Sequence, residues 1–275
     1  MNMPVVGVPL DGSEQSLSAL PVANVLAELE SAIVHLVHIA REVACPAEVL
    51  EPLGLNTEEL RGSVLNTNTG EPAAGTIQAA RESQYAFIVM CTHTALAVSG
   101  RILGGTALGI LKATTCPVVL VNPERGAEPW SLRRILVPHD GTSRTSVAIR
   151  PAANLARYAN AELNLLHIAA PAARPPDERG SLAFRYMDQP QYEWPAWAGE
   201  FVDRLHCVCP LESLNVHMAF ARGSPDEEVL RFADENASDL IVLAWRGEWE
   251  REHATTLKAI IRRAPCPVMI VRAAE

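Results

Sequence analysis

The stretch VVGVPLDGSEQSLSALPVANVLAELESAIVHLVHIA, residues 5–40, returns as RILVPHDGTSRTSVAIRPAANLARYANAELNLLHIA, residues 134–169. In both copies an apolar run ends in Val-Pro-x, and an aspartate followed by glycine comes next, Asp11-Gly12 and Asp140-Gly141. Later signals repeat as well. Gly70-Glu71-Pro72 is answered by Gly223-Ser224-Pro225, and Thr115-Cys116-Pro117-Val118 by Pro265-Cys266-Pro267-Val268. Signals that recur in the same order make the chain a tandem duplication of one α/β unit.

Each half reads as strands alternating with helices. Expected strands in the first half are residues 5–10, 33–39, 63–68, 86–90 and 118–121; in the second, 135–139, 162–168, 215–220, 240–244 and 268–271. These runs are short, β-branched and nearly without alternation, as in strands covered on both faces. Helical patterns cover 16–30, 72–82 and 106–113. Pro21 and Pro151 either bend the first helix of each half or sit in its opening turn. Strands alternating with helices imply a parallel sheet with right-handed crossovers.

The domains divide as residues 1–124, a Pro- and Gly-rich linker at 125–132, and 133–275. Asp140 lies 129 residues after Asp11, whereas Gly223 lies 153 after Gly70, so the second half carries 24 extra residues between its second and third strands. They fall at about 171–200, a stretch with prolines and with Phe184, Tyr186, Tyr192, Trp194 and Trp197. Five aromatics predict an ordered excursion folded back over the second half, with Trp194 or Trp197 buried.

A net charge of -9 over 275 residues argues against nucleic acid, since phosphate backbones call for a basic face. No basic amphipathic segment, signal peptide or membrane-spanning apolar run is visible, which points to the cytoplasm. Six cysteines without C-x-x-C pairs read as reduced thiols. Cys207-x-Cys209 beside His206 lacks a second ligand pair, so no metal is expected there. No Ser-His-Asp ordering, H-E-x-x-H or phosphate-loop G-x4-G-K-[ST] appears, and no catalytic residue is assigned.

The stretch VPLDGSEQSLSALPVANVLA, the His-Ile-Ala closing the second strand, the Gly-x-Pro before the third helix and the terminal TCPVVLV or PCPVMIV resemble the universal stress protein family. The resemblance covers both halves nearly end to end, outside the linker and the 171–200 excursion. It implies two tandem Rossmann-like domains of the adenine nucleotide alpha hydrolase-like kind, each a five-stranded parallel sheet of order 3-2-1-4-5. It also implies antiparallel pairing of the last strands, within the chain or between chains. Many members bind ATP or AMP where the strand order reverses. Others have lost the site and act as interaction modules.

Carried onto this sequence, the resemblance places Pro9, Leu10 and Asp11 at the ribose and backbone near Ile39 or Ile168 at the adenine. The family's phosphate loop, G-x2-G-x9-G-[ST], begins at the end of the fourth strand, beside Met90. In the first half Cys91 and Thr94 replace the two early glycines, the nine-residue spacing is kept, and Gly104, Gly105 and Thr106 follow. In the second half only Gly247 and Thr255 match, the spacing is three residues shorter, and Glu248, Glu250 and Glu252 intrude. Three carboxylates repel a triphosphate by about 1 kcal/mol each even when screened. Nucleotide binding is therefore expected in the first half, with Asp11 in the ligand shell and Asp140 outside it. Trp245 and Trp249 are expected to fill the second site or contact the excursion. His38, His139 and His167 read as core or surface residues, and Ser13 and Thr142 as helix caps.

Overall fold

The computed structural model of the 275-residue chain describes residues 3–40, 45–51, 63–92, 102–125, 129–140, 143–169, 214–249 and 254–273. In the first half β1 (Val5–Leu10), β2 (Ile33–Ala40), β3 (Ser63–Thr69), β4 (Tyr85–Cys91) and β5 (Val118–Val121) accompany α1 (Leu20–Glu30), α2 (Pro46–Leu50), α3 (Pro72–Glu82) and α4 (Gly105–Ala113). In the second half β6 (Arg134–His139), β7 (Glu162–Ala169), β8 (Asn215–Arg222), β9 (Leu240–Trp245) and β10 (Val268–Arg272) accompany α5 (Ser143–Ser146), α6 (Ile149–Ala159), α7 (Pro225–Glu235) and α8 (Ala254–Arg263). The excursion at 171–200, with Trp194 and Trp197, and the Cys207-x-Cys209 corner lie outside the described residues.

The strand order is β3-β2-β1-β4-β5-β10-β9-β6-β7-β8. Each half thus has the order 3-2-1-4-5. The two five-stranded sheets are not separate, however. They merge into one ten-stranded sheet through an antiparallel seam that pairs Val118 with Ile270, Val119 with Met269 and Leu120 with Val268. All other neighbouring strands run parallel.

The near-continuous apolar strands are explained by two helical layers. Val22, Ala23, Leu26 and Ala27 of α1 and Ala152, Ala153, Leu155 and Ala156 of α6 share one core with Val89, Val119 and Met269. Helices α3, α4, α7 and α8 bury Ala79, Ile110, Val229 and Ile260 on the opposite face, against Ile88, Leu120 and Ile270. Because consecutive strand residues point to opposite faces, both must be apolar. The alanine-rich faces of α1 and α6 let these helices meet across the seam.

The pattern at 16–30 does not form one helix. Residues Glu14–Ala19 take a 3₁₀ turn, and α1 begins only at Leu20 with Pro21 in its opening turn. Proline has no N–H to bond back to Leu17, so the ring is tolerated only in a first turn. Pro151 sits likewise in the opening turn of α6. Ser13 Oγ accepts from Ser16 N at 3.3 Å and caps the 3₁₀ turn. Both α1 and α6 close on a left-handed residue, Ser31 and Asn160, each at φ 51°.

Gly7 has a packing reason. A Cβ there would run into the Tyr85 ring, whose hydroxyl meets His35 Nδ1 at 2.6 Å inside the sheet's flank. The linker's far end is anchored too. Trp130 Nε1 donates to Asp239 O at 3.1 Å, and the backbone N–H groups of Arg133 and Arg134 both donate to Asp239 Oδ2 at 2.8 Å.

Val119 is fully buried at the centre of the seam. Val119→Lys buries an unpaired ammonium there and opens an apolar edge. The expected loss is at least ~3 kcal/mol of unfolding free energy, with lower solubility. Urea denaturation and light scattering measure both.

Candidate functional site

The strand order reverses between β1 and β4 in the first half and between β6 and β9 in the second, and crevices at such points open at the carboxyl ends of the strands. In the first half Asp11 stands there, exposed, directly after β1. Its Oδ1 accepts from Ser13 N at 3.0 Å and Ser13 Oγ at 2.6 Å, and Gly12 turns the chain at φ +85°, where glycine carries no steric cost. The Leu10 carbonyl accepts from His38 Nδ1 at 3.0 Å, which ties the ends of β1 and β2 together. Pro9 lies half-buried within β1, opposite Val37.

Ile39 is buried against α3, close enough that a Cβ on Gly75 would meet its Cδ1 at 2.8 Å. Met90 faces the same core. Cys91 faces the other way. Its Sγ donates to Gln15 O at 3.0 Å, and burial, followed by the nearby Asp11 carboxylate, pushes the thiol up to about 12 despite a lowering backbone hydrogen bond. The Cys91 side chain is therefore used against the 3₁₀ turn. Gly104 is the N-cap of α4, with no side chain capping the helix. Gly105 is exposed, and a Cβ there would meet nothing within 4 Å. Thr106 is half-buried one residue further on. The first N–H groups of this nine-residue helix, which no side chain caps among the described residues, present a positive dipole end at the strand ends. Thr94, His93 and Arg101 lie outside the described residues.

The second half differs in its side chains. Asp140 Oδ1 accepts from Thr145 Oγ1 at 2.6 Å. His139 and His167, paired in register on β6 and β7, are both buried. His139 Nε2 and Ser146 Oγ are 3.1 Å apart. Burial drives both imidazoles down, His167 to about 4 with a further push from His139, while Asp140 partly offsets the fall in His139. Trp245 and Trp249 are buried and meet edge to face at 6.3 Å, and Lys258 Nζ lies 5.1 Å over the Trp249 ring. A cavity of about 230 Å³ opens beside them, lined in part by Asp140, Arg144, Arg246 and Glu248. Glu250, Arg251 and Glu252 lie outside the described residues. The sequence offers no sign of the histidine or the tryptophan contact, beyond the expectation that the tryptophans fill the second crevice or meet the excursion.

A family model described as the universal stress protein family matches residues 3–122 and again 131–272. The chain belongs to the universal stress protein family. Curated relatives in this family include universal stress protein MJ0531 of Methanocaldococcus jannaschii, 22% identical over 157 residues, or 51% of this chain and 82% of that protein. Universal stress protein YxiE of Bacillus subtilis is 24% identical over 145 residues, or 50% of this chain and 98% of that protein. Each match spans about half of this stress protein. A solved universal stress protein from Archaeoglobus fulgidus shares the whole two-domain fold, with TM-score 0.69, 18% identity, and coverage of 98% of this chain and 97% of that one. The protein PA1789 of Pseudomonas aeruginosa, described as functionally unknown, does so too, with TM-score 0.69, 16% identity, and coverage of 98% and 93%. Among the described residues no helix is long and apolar enough to cross a membrane.

The buried histidines set a pH dependence. Below the ordinary histidine pKa near 6.5 the unfolded chain takes up protons that the folded chain refuses. The histidine contribution to stability is therefore level above about pH 6.5 and falls as pH drops toward 4. His167 alone accounts for about 3 kcal/mol across that window. Guanidinium midpoints measured from pH 7 to pH 4 are expected to fall less steeply for His167→Gln than for the wild type.

Proposed function

We propose that this chain is a cytoplasmic tandem stress protein whose first half binds an adenine nucleotide, ATP or AMP, and whose occupancy biases an interaction with a partner protein. The observation that carries this reading is the exposed Asp11 carboxylate at the switch point, combined with an α4 N-terminus that no side chain caps among the described residues. A ribose needs a carboxylate to accept from its hydroxyls. Phosphates need backbone N–H groups at a helix start. In this reading Pro9, Leu10 and Asp11 border the ribose, and backbone at Ile39 lines the adenine. Met90 and Cys91 contribute main chain at the strand end. Thr94, Gly104, Gly105 and Thr106 form the phosphate loop. The domains run 1–124 and 133–275, joined by 125–132. No general base is assigned, so the nucleotide acts as a bound signal and not as a substrate turned over quickly.

A second reading, a fold that binds no nucleotide and serves as an interaction module, is favoured by one feature. Both early glycines of the family's phosphate loop are replaced, by Cys91 and Thr94. Chromatography of the supernatant from freshly purified, acid-precipitated protein separates the two readings, since released ATP, ADP or AMP supports only the first.

Binding is expected to be asymmetric. Asp11→Ala weakens ATP by about 1.5–3 kcal/mol, the scale of a hydrogen bond to a charged group. Asp140→Ala leaves it nearly unchanged. Calorimetry on both variants tests this: an equal loss in the two, or a loss in Asp140→Ala alone, defeats the asymmetry. An inert wild type at millimolar ATP leaves the second reading standing.

A further inference from the structure

We propose that the second half holds a compact binding site for a small monocarboxylate with an apolar body, distinct in chemistry from a nucleotide crevice. The cavity there measures about 230 Å³, below the ~300 Å³ at which pockets for larger organic ligands begin. Its floor is apolar: Leu243, Trp245, Ala254, Leu257, Ile260 and Ala273 line it. Among the described residues neither Pro138 nor any residue of β7 does so, Ile168 included. The cavity is therefore offset from the strand-two wall, where the resemblance places an adenine, toward β10 and α8.

Its rim carries two guanidinium groups, Arg144 and Arg246, and two carboxylates, Asp140 and Glu248. The charges balance, so the rim offers no surplus to hold a polyphosphate. Asp140 and Arg144 already have partners within the fold. Arg246 is exposed and makes no hydrogen bond or ion pair among the described residues. A guanidinium in that state, at the mouth of an apolar cavity, suits one carboxylate in the bidentate geometry. Trp245 adds a second signal. Only 5% of it is exposed, it lines the cavity, and its indole Nε1–H is buried without a hydrogen-bond partner among the described residues. Buried donors are rarely left unsatisfied, and an acceptor brought by a bound molecule would satisfy this one.

The test uses the full chain with 3-phenylpropionate as probe and 3-phenylpropanamide as its neutral control, in titration calorimetry at neutral pH. The acid is expected to bind in the submillimolar range, the amide at least about tenfold more weakly, since it lacks the charge that pairs with a guanidinium. Arg246→Gln should weaken the acid by about tenfold and bring it level with the amide. Thr256→Trp, which fills the cavity from the first turn of α8, should abolish binding. Circular dichroism checks that both variants fold. Saturating ATP should not displace the acid. No binding of the acid up to about 10 mM, equal binding of acid and amide, indifference to Thr256→Trp, or displacement by ATP would each overturn the proposal. Because the probe is read in the second half, these outcomes are separate from nucleotide binding in the first.

Discussion

Val118, Val119 and Leu120 of β5 lie antiparallel to Ile270, Met269 and Val268 of β10, and the rest of the architecture depends on this contact. Every one of the six side chains is buried, Val119 and Met269 under one helical layer and the other four under the opposite one. An apolar last strand left at a sheet edge presents unpaired N–H and C=O groups to any other chain. Here each half closes the other's edge. Two further contacts reinforce the closure. Helices α1 and α6 share a core above the seam, and Arg272 Nη1 donates across it to Lys112 O at the end of α4.

Much of this order is legible in the sequence, for reasons that differ by residue. The strands are visible because both faces are covered, so runs such as 118–121 and 268–271 contain nothing polar to blur them. Their ends are less so: β4 begins at Tyr85 and β9 continues to Trp245, since aromatic residues at a strand end read equally well as loop. The apolar pattern at 16–30 runs straight across Pro21, which conceals the change from a 3₁₀ turn to α1. Pattern records which side is buried, whereas the break comes from one missing N–H. Asp11 is legible because Val-Pro-x-Asp-Gly marks the strand end and the turn together. The contacts His35–Tyr85 and His139–His167 are not, since both depend on the register between strands far apart in the chain.

The direction of Cys91 falls between these cases. Along β4, Phe87, Val89 and Cys91 share one face, and Ile88 and Met90 the other. Period-two alternation alone therefore sends the thiol away from the α4 side. A motif comparison asks only which residue replaces glycine, so it misses that the replacement's bulk is spent elsewhere. In the second half the replacements are large, and Trp245 and Trp249 pack on each other where a loop would otherwise lie open.

Joining the two halves in one chain alters the physics of the seam. Between separate subunits, the same β5–β10 contact would form and dissolve with protein concentration, and both copies would carry identical crevices. Within one chain its strength is set by an effective concentration that dilution does not change. The duplicate is also released from identity. A substitution such as tryptophan at 245, where the first half has threonine at 92, alters one crevice and leaves its counterpart intact. A symmetric pair must vary at both places or at neither, whereas this chain can hold two unlike crevices in one sheet.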